Sequence, residues 1–160
     1  MVGASRRLRA LAVAAVMVTA MGMAAPAGAQ TAPASGEPEV LYVAPVVVVY
    51  PNQPDLGYIV GVYRCFGGEP IHLWVSAKQG GPDPSAQGGG ASADAWYDTN
   101  VLDAPPVVCD GQYRVAFVPI GRHMDQDRLH SGQAWVQFCL VDEERGIVAS
   151  QQFFAPVVGV

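Results

Sequence analysis

The sequence predicts an all-β domain: an immunoglobulin-like antiparallel β-sandwich with Greek-key connections, carried behind a signal peptide. Three observations lead there. Six short apolar segments, rich in β-branched and aromatic residues, are separated by Gly, Pro and Asp turns. No run at the helical period is capped at both ends. The part beyond the leader has the length of a single domain, and such strand spacing in an exported domain closes as a sandwich. The 160 residues are 51% hydrophobic and 14% charged, which excludes disorder and collagen-like repetition.

Arg6, Arg7 and Arg9 form a basic start, Leu11 to Met23 an apolar run of 13, and Ala27-Gly28-Ala29 a small-residue cleavage site. Thirteen residues make about 20 Å of helix against a ~30 Å hydrocarbon core, so residues 1–29 read as a cleaved signal rather than an anchor. The first Cys after the run is Cys65, so no lipid anchor follows and a secreted, extracellular product is expected. Three of the nine bases and none of the fourteen acids lie in the leader, leaving the remainder at −8. That balance argues against nucleic acid or anionic lipid as a partner.

Residues 30–38 (QTAPASGEP) read as a polyproline-like tether, and residues 39–160 as the domain. Val40 to Tyr50 is interrupted by Pro45, which implies an edge position or a switch between sheets. Then come Gly57 to Cys65, Ile71 to Lys78, Val107 to Val118 broken at Asp110-Gly111, Gln133 to Val141 and Ile147 to Val158. Gln79 to Asp94, with five Gly and two Pro, reads as a flexible excursion. Asp142-Glu143-Glu144 followed by Arg145-Gly146 reads as a solvated hairpin corner.

Tyr63-Arg64-Cys65, Val75 to Gly80, Val108-Cys109-Asp110-Gly111 and Gly132 to Val136, in that order, resemble a small secreted actinobacterial domain of unknown function. The resemblance implies an immunoglobulin-like sandwich with a paired Cys65 and Cys109, and implies no activity. The residues themselves bear on the pairing too. Export favours disulfides, but loop closure stabilises each of the three possible pairs by about 3.7 to 4.5 kcal/mol and does not choose. Cys65 shares the apolar parity of Ile59, Gly61 and Tyr63, and Cys109 that of Val107, Tyr113, Val115 and Phe117, so both point inward. Cys139 points the other way, beside Gln137, as a free thiol able to link two chains. The rival is a Cys65 to Cys139 bridge over a core Trp, but Trp74 shares the polar parity of Ser76 and Lys78.

No nucleophile elbow, zinc helix, P-loop, Cys-x-x-Cys pair or dinucleotide fingerprint is present, so no catalytic residue and no cofactor are assigned. Arg122 to His130 gathers His123, Met124, Asp125, Asp127 and His130, which makes His123 and His130 the weak metal candidates. Trp74 and Trp135 fall on the polar parity of strands that neighbour each other in a sandwich. With Lys78, Gln133 and Gln137 they define an outward aromatic patch suited to a partner protein, the cell wall or a small ligand. The expectation is a non-enzymatic secreted interaction module. The alternative is a secreted protease inhibitor: Leu41 to Pro45 and the Val run that follows resemble the opening of the bacterial subtilisin-inhibitor family, whose paired disulfides and reactive-loop Cys have no counterpart here.

Overall fold

The computed structural model describes residues 35–67, 70–85, 92–102 and 106–159. The predicted signal peptide and most of the tether lie outside them. Among the described residues there are eight strands: β1 (Glu39–Val43), β2 (Val47–Val49), β3 (Leu56–Arg64), β4 (Ile71–Gln79), β5 (Ala95–Asp98), β6 (Arg114–Arg122), β7 (Gly132–Asp142) and β8 (Gly146–Val158). A 3₁₀ turn, Thr99–Val101, follows β5.

The expected sandwich is corrected to a closed barrel. Hydrogen bonding runs β3-β2-β8-β7-β4-β5-β6, and β6 pairs back onto β3, so seven strands form a ring with β1 as an extra strand on β3. Two pairings close it. Short β5 joins Tyr97 and Asp98 to Arg122 and Gly121 of β6 on one edge, and Ser76 to Gln79 of β4 on the other. Short β2 runs parallel to the end of β8, with Val47 opposite Val157. A sandwich has two sheets with no ladder between them. Here three- and four-residue strands supply the ladders, and the barrel is mixed rather than antiparallel.

Pro45 marks the break between β1 and β2. Lacking an N–H, it cannot continue the ladder, and Val46 N donates to Ala44 O at 2.8 Å around it. Both fragments stay antiparallel to β3, β1 against its end and β2 against its start. The outer edge of β1 meets a side chain: Gln151 Nε2 donates to Val40 O and Leu41 O, both at 3.0 Å.

The interior follows period two. Ile59 and Tyr63 of β3, Leu73, Val75 and Ala77 of β4, Val118 and Ile120 of β6, and Ala134, Val136, Phe138 and Leu140 of β7 are all buried. Gly61 lets the walls approach, because a Cβ there would sit 2.5 Å from ring atoms of Phe138. Tyr97 is buried with its hydroxyl satisfied, donating to Pro54 O at 2.6 Å and accepting from Leu129 N at 3.4 Å.

Cys65 and Cys109 form the disulfide. Cys65 lies inside as expected, but the parity argument fails for its partner. Val115 and Phe117 point outward at 64% and 71% exposure, and residues 106–113 are not strand. The turn at Asp110-Gly111 breaks the alternation between Cys109 and β6, so parity cannot be carried across it. The segment is instead lashed to the end of β3: Tyr63 Oη accepts from Val108 N at 3.2 Å, and Gly111 N donates to Cys65 O at 2.9 Å.

Candidate functional site

Two outward faces of the barrel wall carry its unusual chemistry. The first crosses β5, β4, β7 and β8. Alternation places Trp96, Lys78, Trp135 and Phe154 in one cross-strand row. Asp98, Ser76, Gln137 and Gln152 form the next, and Trp74, Cys139 and Ser150 a third. The structure thus brings Trp74, Trp135, Lys78 and Gln137 together on neighbouring strands, as the sequence implied. It differs in how they are arranged. Instead of polar edges around flat rings, Lys78 and Gln137 are 1% and 2% exposed, and Ser76 and Asp98 are fully buried among partly exposed indoles.

A chain of side-chain hydrogen bonds crosses this face: Ser76 Oγ donates to Gln137 Oε1 at 3.3 Å, and Gln137 Nε2 donates to Gln152 Oε1 at 3.2 Å. The Lys78 ammonium lies 5.9 Å from the centre of the Trp74 ring. Burial pulls its pKa below the ordinary lysine value, partly offset by the field of Asp98. Asp98 accepts from Asn100 N at 2.9 Å and from Asn100 Nδ2 at 3.4 Å, and its Oδ1 lies 3.1 Å from His123 Nε2. Trp96 stacks on the His123 ring at 3.8 Å, and Trp135 meets Phe154 edge-on at 4.9 Å.

Cys139 is free and fully buried on this face, and burial raises its thiol to about 11 against the opposing field of Lys78. A second chain has no sulfur to reach unless the side chains over it move. The two histidines of the metal candidate serve different neighbours. His123 belongs to the Trp96 stack, whereas the backbone of His130 is clamped by Gln79, which accepts from His130 N at 2.9 Å and donates to His130 O at 2.8 Å. Among the described residues no group of three His, Cys, Asp or Glu is placed to hold a metal ion.

The second face lies on β3 and β6 beside β1 and β2. Register sets Tyr58 opposite Pro119, Val60 opposite Phe117 and Val62 opposite Val115, all on the outward parity. Tyr42 on β1 and Tyr50, just after β2, are about half exposed. A groove of about 380 Å³ is lined by Ala44, Val46, Val48, Tyr50, Tyr58, Val60 and Phe117. No charged side chain lines it, and the Tyr50 and Tyr58 rings meet edge-on at 5.6 Å. Ion pairs lie elsewhere: Arg64 with Glu39 at 2.9 Å, Arg114 with Asp110, and Arg122 and Arg128 on Asp55 at 2.7 and 2.9 Å. The hydrogen bond from Arg128 holds the Asp55 carboxyl below its ordinary value.

Sequence reasoning missed Trp96, Asp98 and the whole β3–β6 face. The four-residue alternation Ala95 in, Trp96 out, Tyr97 in, Asp98 out was the available signal for the first two. Nothing comparable marked Phe117, since an apolar residue in a strand is expected to point inward. No family model, curated protein or solved structure matches the chain, so the geometry alone bears on function.

Proposed function

We propose that the domain is an exported, non-catalytic binding module whose β3–β6 face takes a small, uncharged apolar ligand. The observation that carries this reading is the exposure of Phe117, 71%, beside a groove with no charged lining. An aromatic of this size normally sits inside. The groove falls within the ~300–1,000 Å³ range of small-molecule sites, and its only side-chain polar atoms are the two tyrosine hydroxyls, enough to orient a ligand without demanding charge. Export is supported by the leader-like residues 1–29 and by a disulfide, a cross-link that persists in oxidising compartments.

The test is titration of the full chain with the neutral fluorophore N-phenyl-1-naphthylamine. The expected result is saturable binding that Phe117→Ser weakens at least ~10-fold, a loss of about 1.4 kcal/mol. Absence of saturable binding, or equal binding by the variant, contradicts the reading. A concentration-dependent dimer that Phe117→Ser dissociates would assign the face to a second copy instead.

A further inference from the structure

We propose that the free edge of β6 borders a peptide-binding slot, which takes one extended apolar strand ending in a free carboxylate. The slot opens at the edge of β6, whereas the apolar groove lies on its outward face. Val115 borders the slot and not the groove, so the two readings stand or fall separately.

Backbone direction defines the slot. Arg122 N donates to Asp55 O towards β3, and His123 N donates to Trp96 O towards β5. In an antiparallel ladder the N–H and C=O of one residue point the same way, and successive residues alternate. Val115, Phe117 and Pro119 share the parity of His123, so their backbone groups turn away from β3. Pro119 fits that parity, because its missing N–H takes no bond from the β3 ladder. β5 pairs only with Gly121 and Arg122 of β6. Among the described residues, Val115 and Phe117 therefore have no ladder partner on the side away from β3.

The opposite edge of the slot is β4. Its pairing with β5 ends at Ser76 opposite Asp98, and from there the Thr99 hydroxyl takes over, accepting from Val75 N at 3.2 Å and donating to Leu73 O at 3.4 Å. β5 thus stops part-way along the two strands it joins and leaves a gap one strand wide, about 10 Å at two spacings of ~4.8 Å. The chain's own continuation cannot complete the ladder, since Pro105 and Pro106 carry no N–H. A cavity of about 230 Å³ marks the gap, with Tyr63, Leu73, Arg114, Val115, Ala116 and Phe117 in its lining. Val115 and Phe117 are exposed, so the edge is open to solvent.

Direction and charge specify the occupant. β5 is antiparallel to both β4 and β6, so a strand inserted in the direction of β5 pairs antiparallel with each. Alternate side chains then enter the apolar space between Tyr63, Leu73 and Ala116, which suits Val or a similar aliphatic residue. The others stand outside, beside Val115 and Phe117. The C-terminal end of such a strand arrives at Arg114, the first residue of β6 and, among the described residues, the only charged one lining the cavity. Asp110 accepts from Arg114 Nε and Nη2, which leaves the Nη1 donors for a second carboxylate.

Calorimetric titration of the full chain with the hexapeptide acetyl-Thr-Val-Thr-Val-Thr-Val, its C-terminus free, provides the test. The expected result is saturable one-site binding, weakened at least ~10-fold by C-terminal amidation, by N-methylation of alternate residues, and by Val115→Pro in the protein. Val115→Pro removes one N–H facing the slot and, like Pro119, leaves the β3 ladder whole, so its circular dichroism should match that of the wild type. Absence of saturation, or equal binding by the N-methylated peptide or by Val115→Pro, overturns the proposal. Equal binding of the amide overturns the terminal carboxylate. A concentration-dependent dimer that Val115→Pro dissociates assigns the edge to a second copy and overturns the peptide. Should Val115→Pro not fold, the N-methylated peptide against its parent on the wild type decides alone.

Discussion

The two outward faces invert one another. On β3 and β6 apolar side chains stand in water: Val115 and Phe117 are more than half exposed, and no charged side chain lines the groove beside Phe117. On β4, β5 and β7 polar side chains are hidden, with Ser76, Lys78, Asp98 and Gln137 buried among indoles that keep part of their surface outside. A barrel wall usually alternates apolar inside and polar outside. The contrast teaches that here alternation sets direction but not exposure. What a side chain meets once it points outward depends on its cross-strand neighbours, and three tryptophans around Lys78 do what Val62 and Val115 around Phe117 cannot.

The largest effect should come from the disulfide. It closes 44 residues between the end of β3 and the approach to β6, and by loop-closure entropy it contributes about 4 kcal/mol. Cys65→Ser with Cys109→Ser should destabilise by that order, checked by urea unfolding. It should loosen the open face first: amide exchange in β6 should accelerate before that in β7. Simultaneous loosening of both would show that the faces are not separable.

Gly61→Ala comes next, because Gly61 meets Phe138 across the interior between the two walls. The added methyl should cost about 1–3 kcal/mol, and Phe138→Leu in the same chain should recover part of it. Full additivity of the two changes would mean that the walls do not touch there.

A smaller effect should appear only in alkali. The Cys139 thiol is raised to about 11 from 9.0, so the native state holds its proton longer than the unfolded chain. Its contribution is intact below pH 9 and is lost as pH rises towards 11. Lys78, whose pKa is lowered, works in the opposite direction, so the difference between wild type and Cys139→Ala reads the thiol together with its coupling to Lys78. Wild type should lose stability relative to the variant across that window, and parallel curves would mean an accessible sulfur. Smallest of all is the stability change in Phe117→Ser, expected within about 0.5 kcal/mol by thermal unfolding because an exposed ring has little packing to lose.

Much of the wall was legible from residue pattern. β3, β4, β7 and β8 fall within a residue or two of the expected segments, since Val, Ile, Tyr and Trp at period two suit a pleated surface with one buried face. The shared outward parity of Trp74, Lys78, Trp135 and Gln137 on β4 and β7 was legible for the same reason. Closure of the ring was not legible. It depends on Ala95–Asp98, a strand too short to show a period, and on Val47 meeting Val157, a pairing between distant residues that no local pattern encodes. The disulfide was identified correctly although half of its argument failed, because parity holds within a strand and Asp110-Gly111 ends one. The burial of Lys78 was invisible because its cover comes from neighbouring strands.

The central claim, one open face and one closed, is tested most directly by a single labelling experiment on native Phe117→Cys. Iodoacetamide at neutral pH followed by peptide mapping should place the label on the new thiol at position 117 and leave Cys139 unmodified. Modification of Cys139 at a comparable rate, or protection of position 117, would contradict the account.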